Sequence, residues 1–172
     1  MRGTIVLSHG LESGPDATKV TALAAVARAH GWRELRPDYR DLDALRDAAR
    51  IGERTARLLE HVPRDGGRLI LAGSSMGAFC SALASLEVQT EALFLLAPPL
   101  VIPGYASPLD AADVPLAVVH GWDDEIIPAP AVIDWAAARR ATLHLVPDNH
   151  RLTGHVEIVA RWFDEFLARC PA

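Results

Sequence analysis

The sequence predicts an α/β fold: a doubly wound, three-layer sandwich around a parallel sheet of six strands. Three observations carry this. Short apolar runs alternate with helical stretches along the whole chain, the signature of βαβ units. The runs Ile5-Val6-Leu7, Leu69-Ile70-Leu71-Ala72 and Leu93-Phe94-Leu95-Leu96 are apolar throughout, as strands covered on both faces require. Turn-forming glycines and prolines punctuate the chain between elements, with no linker and no internal repeat. At 172 residues, half of them apolar, the chain is expected to form one domain, 1–172, with a substantial core.

The elements run in order from the N-terminus. Thr4–Leu7 is the first strand, and a polar loop from Ser8 to Asp16 comes after it. Ala17–His30 is Ala-rich with apolar spacing near 3.6 and reads as a helix stopped by Gly31. Trp32–Leu35 is a short second strand ended by Pro37. Leu42–His61 reads as one long helix with a charged and an apolar face, and Pro63 to Gly67 as a turn. Arg68–Ala72 is the third strand and Met76–Leu86 the helix after it. Ala92–Leu96 and Leu116–Val119 are the fourth and fifth strands. Pro130–Arg139 is a helix, Thr142–Val146 the sixth strand and Gly154–Ala168 a closing helix. The segment Pro98 to Pro115 is the longest irregular piece, too short for a lid domain, so any site beside it is expected to be open.

Composition narrows the function. The formal net charge is −5 and no basic run exists, which argues against nucleic-acid binding through phosphate neutralisation. Basic residues are almost all arginine, Lys19 being the only lysine, which reads as compositional bias. No apolar run approaches membrane-spanning length, and Thr4–Leu7 is far too short for a signal-peptide core. Cys80 and Cys170 form neither a disulfide framework nor a metal cluster. The expected location is the cytoplasm. No metal or cofactor is expected: the histidines lack an i, i+4 pair on one helix, no lysine follows Gly73–Gly77 as a phosphate loop requires, and no dinucleotide fingerprint is present.

The chemistry lies in Gly73-Ser74-Ser75-Met76-Gly77. This G-x-S-x-G pattern sits between a strand and a helix, the context in which a sharp turn thrusts the central serine out of the backbone. The pentapeptide alone is weak evidence; the residues at two later strand ends give it weight. A serine hydroxyl is a poor nucleophile until a base takes its proton and a third group orients that base. After the fifth strand comes His120-Gly121-Trp122-Asp123-Asp124-Glu125-Ile126-Ile127-Pro128, and after the sixth Pro147-Asp148-Asn149-His150. Nucleophile, acid and histidine thus occur in that chain order, each at a strand's carboxyl end, where open α/β sheets build their sites.

On these residues the chain resembles the α/β-hydrolase superfamily, and in particular its small, cap-less bacterial esterase-type members. The matching motifs are Ser8-His9-Gly10-Leu11, the Gly73–Gly77 elbow, His120-Gly-x-x-Asp124-x-x-Ile127-Pro128, and the terminal Asp148-Asn149-His150. They span nearly the whole chain, from about Thr4 to Ala168. The glycine common just before the family's histidine is missing. The resemblance implies a minimal version of the fold, short of the first two strands and any cap, with sheet order 2-1-3-4-5-6. It also implies a Ser75–Asp124–His150 triad.

Rivals exist at each position. Ser74 lies one place early and is expected to turn away from the site. Asp123 and Glu125 flank Asp124, which the G-x-x-D-x-x-I-P spacing favours; their bland role is a solvated helix N-terminus. His155 is the alternative to His150 and falls within the last helix. His144 lies mid-strand, His30 and His61 at helix ends, and His9 and His120 read as hydrogen-bonded scaffold residues. The oxyanion hole is expected from the backbone N–H of Met76 and, by resemblance, that of Leu11. The expected activity is a serine hydrolase acting on a carboxylic ester or thioester of a small-molecule acyl substrate. The same constellation on an amide, peptide or carbon–carbon bond, or in acyl transfer, is the alternative, as is a non-catalytic binding protein that keeps the fold.

Overall fold

In the computed structural model, which describes residues 1–47, 50–64 and 66–170, the six strands are β1 Thr4–Ser8, β2 Arg33–Leu35, β3 Leu69–Ser74, β4 Ala92–Leu96, β5 Leu116–Gly121 and β6 Thr142–Val146. All neighbours pair in parallel, in the order β2-β1-β3-β4-β5-β6. Each strand edge therefore needs a crossover, and the helices that make the crossovers cover both faces.

The helices are α1 Thr18–Ala29, α2 Arg40–Asp43, α3 Ile51–Glu60, α4 Met76–Ala84, α5 Ala129–Ala138 and α6 Val156–Arg169. Alternation along the strands sorts the core into two layers. Val6, Leu71, Leu93, Leu95 and Val118 face Leu58 of α3, Phe79 of α4 and Val132 of α5. Ile5, Leu7, Ile70, Phe94 and Val119 face Val20 and Leu23 of α1 and Phe163 and Leu167 of α6. This is the three-layer sandwich, with the strand order, that the resemblance implies.

One expected element is wrong. The single helix over Leu42–His61 is divided into α2 and α3. Arg46 adopts φ 48°, a left-handed conformation that a right-handed helix cannot contain. Ala48 and Ala49, which the expected helix includes, lie outside the described residues, as does Asp65 of the expected 63–67 turn. The closing helix also starts later than expected, because Thr153–His155 form a short 3-10 turn ahead of α6.

Residues 97–115, between β4 and β5, contain neither helix nor strand. They lie against the α4 face through buried Ile102, Leu109 and Ala111, and Tyr105 packs edge-on against Phe79 at 5.9 Å. Among the described residues, this piece carries no helix or strand of its own from which a lid domain could be built.

Candidate active site

The turn at Ser75 is where the sequence imposes strain. β3 is buried along its length, Ser75 sits at φ 53°, ψ −120°, and α4 starts at the next residue. A non-glycine residue held there costs on the order of 1–3 kcal/mol, so its surroundings must fix it. Its N–H donates to the Leu96 carbonyl at 2.8 Å, and its own carbonyl accepts the Phe79 N–H at 3.1 Å. The flanking glycines are needed for close approach. A Cβ on Gly73 would run into the Gly77 carbonyl, and one on Gly77 into the Ser8 carbonyl at the end of β1. Ser74 remains in the strand, buried.

The loop after β5 supplies the carboxylate. Asp124 Oδ1 accepts the N–H groups of Ile126 and Ile127 at 2.9 and 2.8 Å. Oδ2 is left facing His150 Nδ1 at 2.8 Å and His120 Nε2 at 3.4 Å, with the side chain fully buried. His150, after β6, places Nε2 2.8 Å from Ser75 Oγ. Because a carboxylate only accepts, the imidazole proton sits on Nδ1 and Nε2 is the acceptor for the serine hydroxyl. The structure thus brings Ser75, Asp124 and His150 into one hydrogen-bonded line.

The rivals are placed elsewhere. Asp123 is exposed. Glu125 Oε2 accepts the His150 backbone N–H at 3.1 Å, and N–H groups, its own first, hold its carboxyl below the usual range. His155 Nδ1 faces Asp148 Oδ2 at 2.8 Å instead of the serine. His144 stacks on Trp162 at 4.1 Å, His30 meets Asp164, and His61 bonds the Arg57 carbonyl. His120 Nε2–H donates to the Ile127 carbonyl at 2.9 Å, but its Nδ1 is buried with no partner among the described residues. The expectation of a fully satisfied scaffold histidine there fails on that nitrogen.

Three supporting residues, Gly121, Asp148 and Leu152, are given no role of their own by the sequence reading. A Cβ on Gly121 would collide with the Asp148 carbonyl and lie 2.9 Å from that of Asn149. Only glycine lets the His150 loop come this close to the end of β5, and that glycine belongs to the H-G-x-x-D motif itself. Asp148 then pins the loop: its carboxylate accepts the Asn149 N–H at 2.8 Å and the Gly154 N–H at 3.0 Å, besides His155. Burial pushes the Asp148 carboxyl up, but these three bonds outweigh it and hold it below its ordinary value. Leu152, fully buried at φ 54°, anchors the far side.

The β1 loop meets the elbow. A Cβ on Gly10 would sit 3.2 Å from the Ser74 carbonyl and 3.4 Å from Ser75 Cβ. Leu11 comes next in the turn, half exposed. Met76 opens α4, so its N–H has no intrahelical acceptor. His9 is fully buried: Nε2 accepts the Tyr39 N–H at 3.0 Å, and Nδ1–H donates to the Gly10 carbonyl at 2.7 Å. Burial lowers its pKa and keeps it neutral. Among the described residues, no group of three His, Cys, Asp or Glu could hold a metal ion, and no helix is long and apolar enough to cross a membrane.

No protein-family model and no curated protein matches the sequence. Solved structures do. A protein of Xanthomonas campestris pv. campestris, described as a hydrolase of the alpha/beta superfamily, is 49% identical over 97% of this chain and 99% of its own, with a TM-score of 0.90. A second Xanthomonas campestris protein, an a/b serine hydrolase without a lid, is 26% identical over 98% of this chain and 83% of its own (TM-score 0.73). Est1E from Butyrivibrio proteoclasticus shares the fold at 19% identity, over 96% and 87% of the two chains, with a TM-score of 0.68.

Proposed function

The chain belongs to the α/β-hydrolase superfamily, and from that premise we propose that it is a serine hydrolase cleaving a carboxylic ester or thioester of a small substrate through an acyl-enzyme on Ser75. The observation that carries the reading is the continuous relay from Ser75 Oγ to His150 Nε2 and from His150 Nδ1 to Asp124 Oδ2, both steps 2.8 Å.

The mechanism is set by the donors and acceptors. Ser75 Oγ attacks the carbonyl carbon while His150 Nε2 takes the hydroxyl proton. The imidazolium that forms is stabilised by Asp124, whose other oxygen is already held by two backbone N–H groups and so has little freedom to turn away. The oxygen of the tetrahedral intermediate becomes negative and is met by the N–H groups of Leu11 and Met76, each worth ~10²–10³ in turnover. His150 returns the proton to the leaving alcohol or thiol. Water, deprotonated by the same nitrogen, then attacks the acyl-enzyme and releases the acid.

The short-acyl reading rests on the absence of a lid insertion among the described residues. With residues 97–115 lying along the α4 face, little encloses a long acyl chain, so short acyl groups are the proposed substrates. The cytoplasm is the proposed setting, and neither nucleic acid nor membrane is a proposed partner. Est1E has been solved with ferulic acid bound, which makes aromatic acyl esters a useful arm of the test. The experiment is labelling with a fluorophosphonate, then a panel of p-nitrophenyl esters. One adduct on Ser75 and turnover falling with acyl length are expected. A folded protein that takes up no probe would favour a binding protein, and turnover rising steadily with chain length would overturn the short-acyl assignment.

A further inference from the structure

Among the described residues outside the candidate site, Arg54 is the charged side chain that the fold buries most completely, at 2% exposure. It projects from α3, far in sequence from β1, yet Nη2 donates to the carbonyl of His9 at 2.7 Å. Nη1 donates to Asp43 Oδ1, at the end of α2, at 2.9 Å. The guanidinium lies over the Tyr39 ring at 4.3 Å, and the Tyr39 hydroxyl bonds Ser8 Oγ at 2.9 Å. Arginine's planar fork therefore ties three segments, the β1 end, residues 39–43 and α3, to one carbonyl.

This cluster is poorly arranged for stability alone. Burying two charges costs several kcal/mol per ion, and their attraction offsets that only when the remaining polar atoms are satisfied. Here Arg54 Nε and Asp43 Oδ2 are both buried without partners among the described residues. Burial correspondingly pushes the Asp43 carboxyl up. An apolar pair of similar volume would stabilise the fold as well or better. What an apolar pair would lack is a donor aimed at the His9 carbonyl.

That carbonyl matters because it leads directly into the oxyanion loop. His9, Gly10 and Leu11 are consecutive: fixing the His9 C=O fixes the plane of the His9–Gly10 peptide and so the direction in which the chain enters Gly10, whose own carbonyl, in the same peptide plane as the Leu11 N–H, is held by His9 Nδ1. The loop has two further constraints. The His9 ring bonds the Tyr39 N–H and the Gly10 carbonyl, and Gly77 of the elbow lies directly beneath the Ser8 and His9 carbonyls. Among the described residues, Arg54 is the side chain that donates to this carbonyl, and the contact is buried. From this geometry we infer that Arg54, balanced by Asp43, is a positioning residue that sets the orientation of the Leu11 N–H toward the oxyanion. The inference rests on the serine-hydrolase reading.

The test compares wild type with the double variant Asp43→Leu/Arg54→Met, which removes both charges, and with Arg54→Lys. A lysine keeps the charge beside Asp43 but is a point donor, unable to serve both acceptors as the fork does. With p-nitrophenyl acetate, the double variant is expected to keep or raise the thermal midpoint while kcat falls about 10- to 100-fold, the range for a misplaced donor. KM is expected to stay within about twofold, because the interaction acts in the transition state. Inhibition by phenylboronic acid, which forms a tetrahedral adduct on serine, should weaken by the same factor as kcat. The pH midpoint of kcat/KM should not move, since His150 and Asp124 are untouched.

A folded double variant with wild-type kcat overturns the inference, as does a loss of kcat accompanied by a shifted pH midpoint, which would route the effect through His150. Should the double variant fail to fold, Arg54→Lys decides: a folded protein with kcat down about tenfold supports the role, and an unchanged kcat overturns it. A folded wild type inert to both fluorophosphonate and ester would remove the serine-hydrolase reading and this role with it. An active wild type beside an equally active variant removes the role alone.

Discussion

Replacing Gly121 with alanine tests whether a backbone contact sets the reach of His150. The added Cβ would lie 2.9 Å from the Asn149 carbonyl oxygen, 3.0 Å from the Asp148 carbonyl carbon and closer still to the Asp148 oxygen, where ordinary contact is 3.4–4 Å. Every clashing atom is backbone, so no rotamer relieves the overlap and the 148–150 segment must retreat by about 1 Å, a displacement that costs ~10²-fold even when it arises away from the reacting atoms. His150 Nε2 stands 2.8 Å from Ser75 Oγ, so that retreat takes it beyond effective hydrogen bonding. Overpacking of this kind destabilises by about 1–3 kcal/mol. For a chain of this length the thermal midpoint should drop by about 2–12 °C, at ~2–4 °C per kcal/mol. The assay is hydrolysis of p-nitrophenyl acetate at 25 °C, with circular dichroism to confirm folding and track melting. A folded Gly121→Ala protein with wild-type kcat would refute the argument, since the loop would then have another way to deliver the imidazole.

Ser75→Ala should lose turnover by about 10⁴–10⁶ and all fluorophosphonate labelling, while melting near wild type. Asp124→Asn should lose about 10⁴: the amide oxygen stays on the Ile126 and Ile127 N–H groups, its NH₂ faces His150 Nδ1, and the imidazole proton is driven to the nitrogen beside Ser75. Asp123→Asn, at an exposed position, should change little; the reverse ranking would reassign the acid. Asp148 is held below its ordinary pKa in the folded chain, so its stabilisation is complete above about pH 4, its unfolded value, and is lost as pH falls through the lowered folded value. Melting curves of wild type and Asp148→Asn should therefore differ at pH 7 and converge toward pH 3. Burial raises the Cys80 thiol to about 11, so a disulfide exchange reagent at pH 8 should reach Cys80 only after denaturant is added, and rapid reaction of both cysteines in the native protein would contradict that burial.

What could be read from the sequence, and what could not, divides by the range of the interaction. β4 begins and ends where its apolar run does, because burial on both faces obeys the local pattern, and the edge strand β6, half-buried, keeps the bounds that its alternating Leu143, Leu145 and the following Pro147 set. The G-x-x-D-x-x-I-P spacing favours Asp124 over its acidic neighbours, and in the structure its Oδ1 is closed by N–H groups two and three residues on. The division between α2 and α3 could not be read. The helical periodicity runs on through it, and the interruption comes with Asp43 turned inward toward Arg54, which no local rule anticipates. Arg54 itself is one arginine among many until the carbonyl of His9 arrives beside it.

The same division explains why the motifs carry glycines whose need is invisible in one dimension. Gly77 answers to Ser8 and His9, and Gly121 to Asp148 and Asn149. Each is required by backbone from a neighbouring strand end: the end of β1 beside the elbow after β3 for Gly77, and the loop after β6 beside the end of β5 for Gly121. A sequence that met only the side-chain requirements, a serine, an acid and a histidine at the right strand ends, would not assemble the relay. With a Cβ at Gly121, the loop that carries His150 would stand too far from the end of β5 for two 2.8 Å bonds to close at once, and a Cβ at Gly77 would push the end of β1, which leads into Leu11, away from the elbow. Substituting the glycines should therefore disable the site although no relay residue has itself been changed.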